Sequence, residues 1–214
     1  MITPTPSLPP FNRTHRTQDL ILGGVRSLLA TGGMEAVSMR AVAERSGLTA
    51  GAIYKHFKDK QALIDTVVEM AFHNFELSLF KAIASLPVGS FERLAALGES
   101  YIRFAEEHQE EFKILFMPLV TARKRFRDLP GQGGYPILRR CVVEAIEAGT
   151  LRNEDPDLVS LFLWTRVHGI VMLLLACDLD GAISLGGSGE ELISPAMLFR
   201  ETRNLLIEGL KPNG

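Results

Sequence analysis

Apolar residues recur along the chain at intervals of three and four almost from end to end. No alternating run of four or more β-branched residues interrupts them, so the pattern predicts an all-α protein. The first stripe is Leu20, Ile21, Val25, Leu28 and Leu29, in a helix expected over 17–31 and stopped by Gly32-Gly33. Ser38 is placed to cap a short helix over 39–45, and Thr49 to cap the next. Asp59 or Lys58 opens a long helix to about residue 85, ended by Pro87 and Gly89. Helices are expected over 91–107, over 109–126 with a bend at Pro118, and over 135–148 with Gly149 as the stop. Asp155-Pro156 and Ser194-Pro195 each pair a cap with a proline at the first helical position, which predicts helices over 157–176 and 195–209. Glycine-rich connections fill 128–134 and 178–192, and there is no internal repeat.

The stretch SMRAVAERSGLTAGAIYKHFKDKQAL, residues 38–63, breaks a helix at Ser46-Gly47 and restarts it at once. Two short helices joined by a three- or four-residue turn containing glycine form the helix-turn-helix plan. Ala43 lets the helices approach, Gly47 takes the positive φ of the turn, and Ile53 plugs the angle between them. The second helix then starts Ala50, Gly51, Ala52, although glycine inside a helix costs about 1 kcal/mol relative to alanine. Small residues there leave the backbone free to approach the major groove of DNA. Ser38 and Arg40 can reach a phosphate, and Thr49, Tyr54, Lys55 and His56 project from the second helix. Lys60 stands at the start of the following helix, where backbone N–H groups add a positive dipole end.

Charge sharpens this picture. The net charge is -2, yet residues 1–60 carry eight Lys/Arg against four Asp/Glu, and the remainder carries 15 against 21. A basic segment on an acidic body suits a polyanion partner at one end. Residues 1–13 hold four prolines and read as a disordered arm, not as a secretory signal. Cys141 and Cys177 sit in apolar helical patterns without metal-ligand spacing, as buried thiols of a reducing cytosol would. The most apolar stretch, 158–176, has Arg166 and His168 at its centre, where a membrane helix would pay most for them. It reads as a helix buried in protein.

The segment from Thr14 to Asp65, and above all IYKHFKDKQAL, resembles the signature of the TetR family of bacterial transcription regulators. The resemblance implies an all-helical homodimer, with a three-helix DNA-binding domain joined by helix four to a larger ligand domain. It implies phosphate contacts from Tyr54, His56 and Lys60, a further contact from Arg40, and positions 50–52 facing the bases. A common family pattern has lysine at the position of Ala50 and threonine at that of Ala52. Side-chain hydrogen bonding to bases is lost there, while apolar contact with a thymine methyl remains. The expected organisation is an arm over 1–13, a DNA-binding domain over 14–60, a linking helix over 61–86, and a ligand and dimer domain over 87–214.

In that last domain YIRFAEEHQEEFKILF and WTRVHGIVML look like the TetR C-terminal type named after its Trp-His-Gly motif, here Trp164, His168 and Gly169. Trp164 and His168 lie at i and i+4, on one helix face. They are candidates to line an effector cavity with Tyr101, Phe104, His108, Phe112, Phe116 and Met172. The plainer alternative is a packed core pair. Arg166, two positions from each, is expected off their face, and no cluster of lysine and arginine is expected at the cavity. The charged run at 106–111 reads as a solvated helix junction. No third ligand joins His108 and His168, so no metal is expected. No serine sits in a nucleophile elbow, and GGSG at 186–189 lacks the context of a phosphate loop, so neither enzyme nor cofactor is expected. The last two long helices, through Leu161, Leu198, Leu205 and Leu206, are the expected seam of a homodimer.

Together these readings describe a cytoplasmic, ligand-responsive regulator without membrane attachment. It would be a repressor released from a palindromic double-stranded operator by a small, mostly hydrophobic molecule. The alternatives are a DNA-binding regulator with no small-molecule effector, and an all-helical small-molecule enzyme.

Overall fold

The computed structural model describes residues 13–116, 134–176 and 195–210. Among these residues every regular element is a helix. They are α1 (Arg13–Ala36), α2 (Met39–Ser46), α3 (Ala50–Tyr54), α4 (Lys60–Ile83), α5 (Phe91–Glu107), α6 (Gln109–Phe116), α7 (Tyr135–Glu147), α8 (Pro156–Ala176) and α9 (Pro195–Leu210). The chain divides into two compact units between Val68 and Glu69, inside α4. The proline-rich arm to residue 12, the bend at Pro118, Cys177, the glycine-rich run 178–192 and the cap Ser194 lie outside the described residues. So do the side chains of Leu205 and Leu206.

The first unit contains α1, α2, α3 and the opening of α4. Ile21, Val25, Val42, Ile53 and Leu63 are fully buried, each worth about 1.5–3 kcal/mol relative to exposure. Leu20, expected in the same stripe, is 48% exposed. It lies one position before Ile21, hence about 100° round the helix from the buried face. Helix α1 also runs past Thr31 through Gly32, and the break falls at Gly33, which adopts φ 62 and ψ -160. At Gly24 a Cβ would stand 2.5 Å from the Ser46 hydroxyl, so glycine there lets α1 and α2 meet.

The second unit is organised around α5, which contacts α6, α7, α8 and α9. Phe75, Ile83, Ile102, Phe112, Val142 and Val171 are the largest of its fully buried side chains. Ser90 caps α5 through the Arg93 N–H, and Asp155 caps α8 through the N–H groups of Asp157 and Leu158. Within one chain α8 is buried on one face only. Val159, Val167, Ile170 and Val171 face the core, while Leu158, Leu161, Phe162 and Leu173 are 40–62% exposed. It is the one described helix long and apolar enough to cross a membrane. Its inner face carries part of the core of this unit, as the face of a packed helix does. The junction at 106–111 is exposed except at Glu111, which is 7% exposed. That carboxylate accepts hydrogen bonds of 3.3 and 3.5 Å from the Asn74 side-chain amide.

Candidate functional site

Helix α2 begins where the Ser38 hydroxyl accepts from the Ala41 N–H at 3.1 Å, and α3 where the Thr49 hydroxyl accepts from the Ala52 N–H at 3.2 Å. Between them Gly47 adopts φ 66, and the N–H of Leu48 donates to the Ala43 carbonyl at 2.9 Å. Ala43 and Ile53 are buried at this corner. These local bonds hold α3 with Thr49, Ala50 and Gly51 exposed and Ala52 half-buried beside them. A Cβ built on Gly51 meets nothing within 4 Å, and its φ is not positive. Nothing inside the described fold therefore requires glycine at that position.

The polar candidates surround this turn. Ser38, Arg40, Tyr54 and Lys55 are exposed, and His56 is half-buried. Lys55 is the C-cap of α3 and His56 lies beyond it, so these two project from the end of the helix and not from its body. Lys60 differs from the others. It is half-buried, and its ammonium donates a 2.6 Å hydrogen bond to the Met34 carbonyl. One of its three N–H donors thus ties the start of α4 to the end of α1, and two remain for another acceptor. Asp59, before it, caps α4 through the Ala62 N–H at 2.8 Å.

In the second unit Tyr101 and His168 meet directly, the phenol oxygen lying 2.8 Å from Nδ1. The rings of Tyr101, Phe112, Phe116 and Trp164 all surround the His168 imidazole, with centroids 5.7–6.2 Å away. Burial holds His168 below its ordinary pKa and raises that of Tyr101, the latter partly offset by the Trp164 indole. A neutral imidazole accepting at Nδ1 from the Tyr101 hydroxyl fits both shifts. Phe104 is buried beside Phe75, whereas His108 is exposed and stacks on Phe104 with centroids 4.9 Å apart. His108 therefore stands at the edge of this cluster. Met172 packs against the same core. Among the described residues no three metal-ligating side chains converge.

A cavity in this unit lies next to that cluster, bounded on one side by Tyr101 and Trp164, and has a volume of about 60 Å³. Phe104, His108, Phe112, Phe116, His168 and Met172 do not line it. Most of the remaining wall is apolar, with Phe75 and Leu79 from α4, Leu94 and Leu97 from α5, Leu138 from α7, and Phe199 and Leu210 from α9. Tyr135 also lines it, and its hydroxyl donates to Asp157 at 2.8 Å. Burial and that carboxylate push the Tyr135 pKa up to about 12.

Two arginines, Arg166 and Arg203, complete the wall, contrary to the expectation that no cationic groups gather there. The helical wheel turns Arg166 away from Trp164, but its long side chain reaches α9. Its guanidinium lies 4.7 Å from the centre of the Phe199 ring and donates to the Phe199 carbonyl and the Thr202 hydroxyl. Burial lowers its pKa. A sequence reading confined to one helix cannot find this arrangement, because it depends on how α9 docks. Gly98 allows that docking: a Cβ there would stand 2.2 Å from the Phe199 ring.

Two family models match the chain. That for bacterial regulatory proteins of the tetR family covers residues 21–67, and that for the tetracyclin repressor-like C-terminal domain covers residues 94–193. The curated HTH-type transcriptional repressor KstR2 of Mycolicibacterium smegmatis is 26% identical over 130 residues, which span 61% of this chain and 58% of that relative. A solved protein of unknown function from Rhodococcus sp. RHA1 is 25% identical, with a TM-score of 0.71 over 91% of this chain and 95% of that one. The transcriptional regulator FadR of Bacillus subtilis, solved with stearoyl-CoA, shares the fold at 16% identity, with a TM-score of 0.70 over 90% of this chain and 98% of that one.

Proposed function

The chain belongs to the tetR family of bacterial regulatory proteins, and from that premise we propose a repressor that leaves a palindromic operator when a small, mostly hydrophobic molecule binds. It is a DNA-binding regulator and not an enzyme, as are the family it matches and its curated relative.

The observation that carries the DNA-reading role is the exposed, small-residue opening of α3. Gly51 has open space around its missing side chain and sits amid Ser38, Arg40, Thr49, Tyr54 and Lys55, all exposed. In this reading Ala50, Gly51 and Ala52 approach base edges, and Ser38, Arg40, Thr49, Tyr54, Lys55, His56 and Lys60 hold phosphates. Lys60 does so with the donors left over from its bond to Met34. The DNA-binding domain is 14–60, helix four over 61–86 links it to the rest, and 87–214 binds effector and partner. That last part is of the Trp-His-Gly type.

The effector occupies the cavity beside Trp164 and Tyr101. Its apolar wall supports a lipophilic ligand, and the stearoyl chain of the stearoyl-CoA found with the Bacillus subtilis FadR is likewise apolar. At about 60 Å³ the cavity holds a few waters but not a drug-sized molecule, so binding requires it to widen. An effector that favours the widened state shifts the protein away from its DNA-bound state by its differential affinity for the two. The chain works as a cytoplasmic homodimer through the exposed face of α8 together with α9. Gly169 lies on that face with no atom within 4 Å of a Cβ placed there, which leaves room for a second copy.

The test is selection from a random DNA pool by the purified protein, followed by challenge of the selected duplex with lipophilic compounds. The reading expects an inverted repeat with half-sites about 34 Å apart, one helical turn, and release by at least one compound. Absence of any enriched repeat would end the DNA-reading role. Enrichment with no release by any compound would leave a regulator without a small-molecule effector.

A further inference from the structure

The cavity has an electrostatic character that its apolar wall does not suggest. Among the described residues that line it, Arg166 and Arg203 are cationic and none is acidic. Neither guanidinium forms an ion pair among the described salt bridges. Arg166 spends part of its hydrogen-bonding capacity on the Phe199 carbonyl and the Thr202 hydroxyl. Arg203 is less satisfied: its Nε is buried and finds no acceptor among the described residues. The Arg166 guanidinium stacks over the Phe199 ring, and Arg203 stands one turn of α9 after Phe199 and lines the same cavity. An N–H without an acceptor in a buried site costs free energy, and the low dielectric that makes it costly also strengthens its pairing with an anion.

Taking the cavity as the effector site proposed above, we infer that the effector is a hydrophobic acid, whose single carboxylate pairs with Arg203 and Arg166 while its apolar body lies against Trp164 and Tyr101. The guanidinium fork matches a carboxylate in two parallel hydrogen bonds. The apolar wall gives a second charge no partner. The oxygen of a neutral lipid accepts from the Arg203 Nε–H but brings no charge to pair with the guanidinium, and a polyphosphate brings more negative charge than two arginines answer.

Trp164 is the only tryptophan and lines the cavity, so its fluorescence reports occupancy. The probes are three phenylalkanoic acids of increasing chain length, each paired with its neutral primary amide. Titrations use the full-length protein, with operator release as a second readout. The acid of the best pair should bind at least tenfold more tightly than its amide at pH 7. Arg203→Gln should remove that preference and keep amide affinity within about threefold, while Arg203→Lys should retain part of it. Thermal melts of both variants establish that they are folded. If acid and amide bind wild type alike, or Arg203→Gln keeps the preference, the carboxylate assignment is overturned while the effector cavity stands. If no acid, no amide and no other compound of a lipophilic panel changes Trp164 emission or operator binding, the effector reading falls and the carboxylate assignment with it.

Discussion

Replacing Gly51 with leucine separates the two things a residue in α3 can do. Inside the protein the change is favourable. The position is exposed, its φ is not positive, and a Cβ there meets nothing within 4 Å. Glycine in a helix costs about 0.8–1 kcal/mol relative to alanine, and leucine ranks close behind alanine. Gly51→Leu should therefore raise stability by about 0.5–1 kcal/mol, lessened where so short a helix as Ala50–Tyr54 frays. On DNA the sign reverses. A branched side chain at the turn that meets the groove floor pushes the helix outward. Losing two base contacts at about 1 kcal/mol or more each lowers operator affinity at least about thirtyfold. Fluorescence anisotropy on operator and scrambled duplexes, with circular dichroism melts on the same samples, measures both effects. Operator binding within about threefold of wild type would show that α3 does not enter the groove at Gly51. A lowered melting temperature would contradict the open space the structure places there.

Other outcomes follow from particular contacts. Lys60→Ala should reduce affinity for operator and scrambled DNA alike and flatten the log-affinity against log-salt slope by about 1. It should also cost about 1–2 kcal/mol of stability by orphaning the Met34 carbonyl, seen in denaturant titration. The depressed His168 pKa means that the unfolded chain takes up a proton more readily than the folded one below its unperturbed value of 6.5. Stability should therefore fall as pH drops from 6.5 to the folded pKa and level off below it, and His168→Phe should flatten that slope in melts at successive pH values. Phe162→Asp places a charge on the exposed apolar face of α8, where Phe162 is 48% exposed. It should weaken dimerisation at least about tenfold in sedimentation, roughly 1.4 kcal/mol or more, and unchanged self-association would take that face out of the interface.

What the sequence made legible was what short-range chemistry decides. Ser38, Thr49 and Asp59 each bond an N–H three residues ahead, and Gly47 takes the left-handed turn, so caps and breaks lie within a few residues of the atoms they govern. The period of apolar residues gave the helices and most of the buried set for the same reason. The cavity depends on contacts distant in sequence. The rings of Tyr101, Phe112, Phe116 and Trp164 gather around His168, but of these only Tyr101 and Trp164 line the cavity described above. Helical phase alone turned Arg166 away from that space. Its side chain is long enough to defeat a phase argument, and its destination is set by Phe199, which in turn rests over Gly98. Lys60 is a similar case: position at a helix start suggested a phosphate, and only the fold supplies Met34 as its partner.

A ligand-binding Arg203 and a structural one differ in what their removal does to stability. If its buried, unpartnered Nε served the fold, replacing it would remove a stabilising contact and lower the melting temperature. None is present among the described residues, and Arg203 takes part in no ion pair there. Arg203→Leu should then remove the desolvation of a half-buried cation and keep the apolar contact of the stem with the wall. The gain should be about 1 kcal/mol, toward the low end of what replacing buried charges with apolar groups returns. The variant should be more stable without ligand, lose the acid-over-amide preference, and show a smaller rise in melting temperature on adding the acid. Arg166→Leu makes the control. Its bonds to the Phe199 carbonyl and the Thr202 hydroxyl tie α9 to α8, so it should be destabilised. Differential scanning calorimetry of the two variants, with and without the best acid, reads the contrast. A destabilised Arg203→Leu would make Arg203 a structural arginine and return the cavity to neutral ligands.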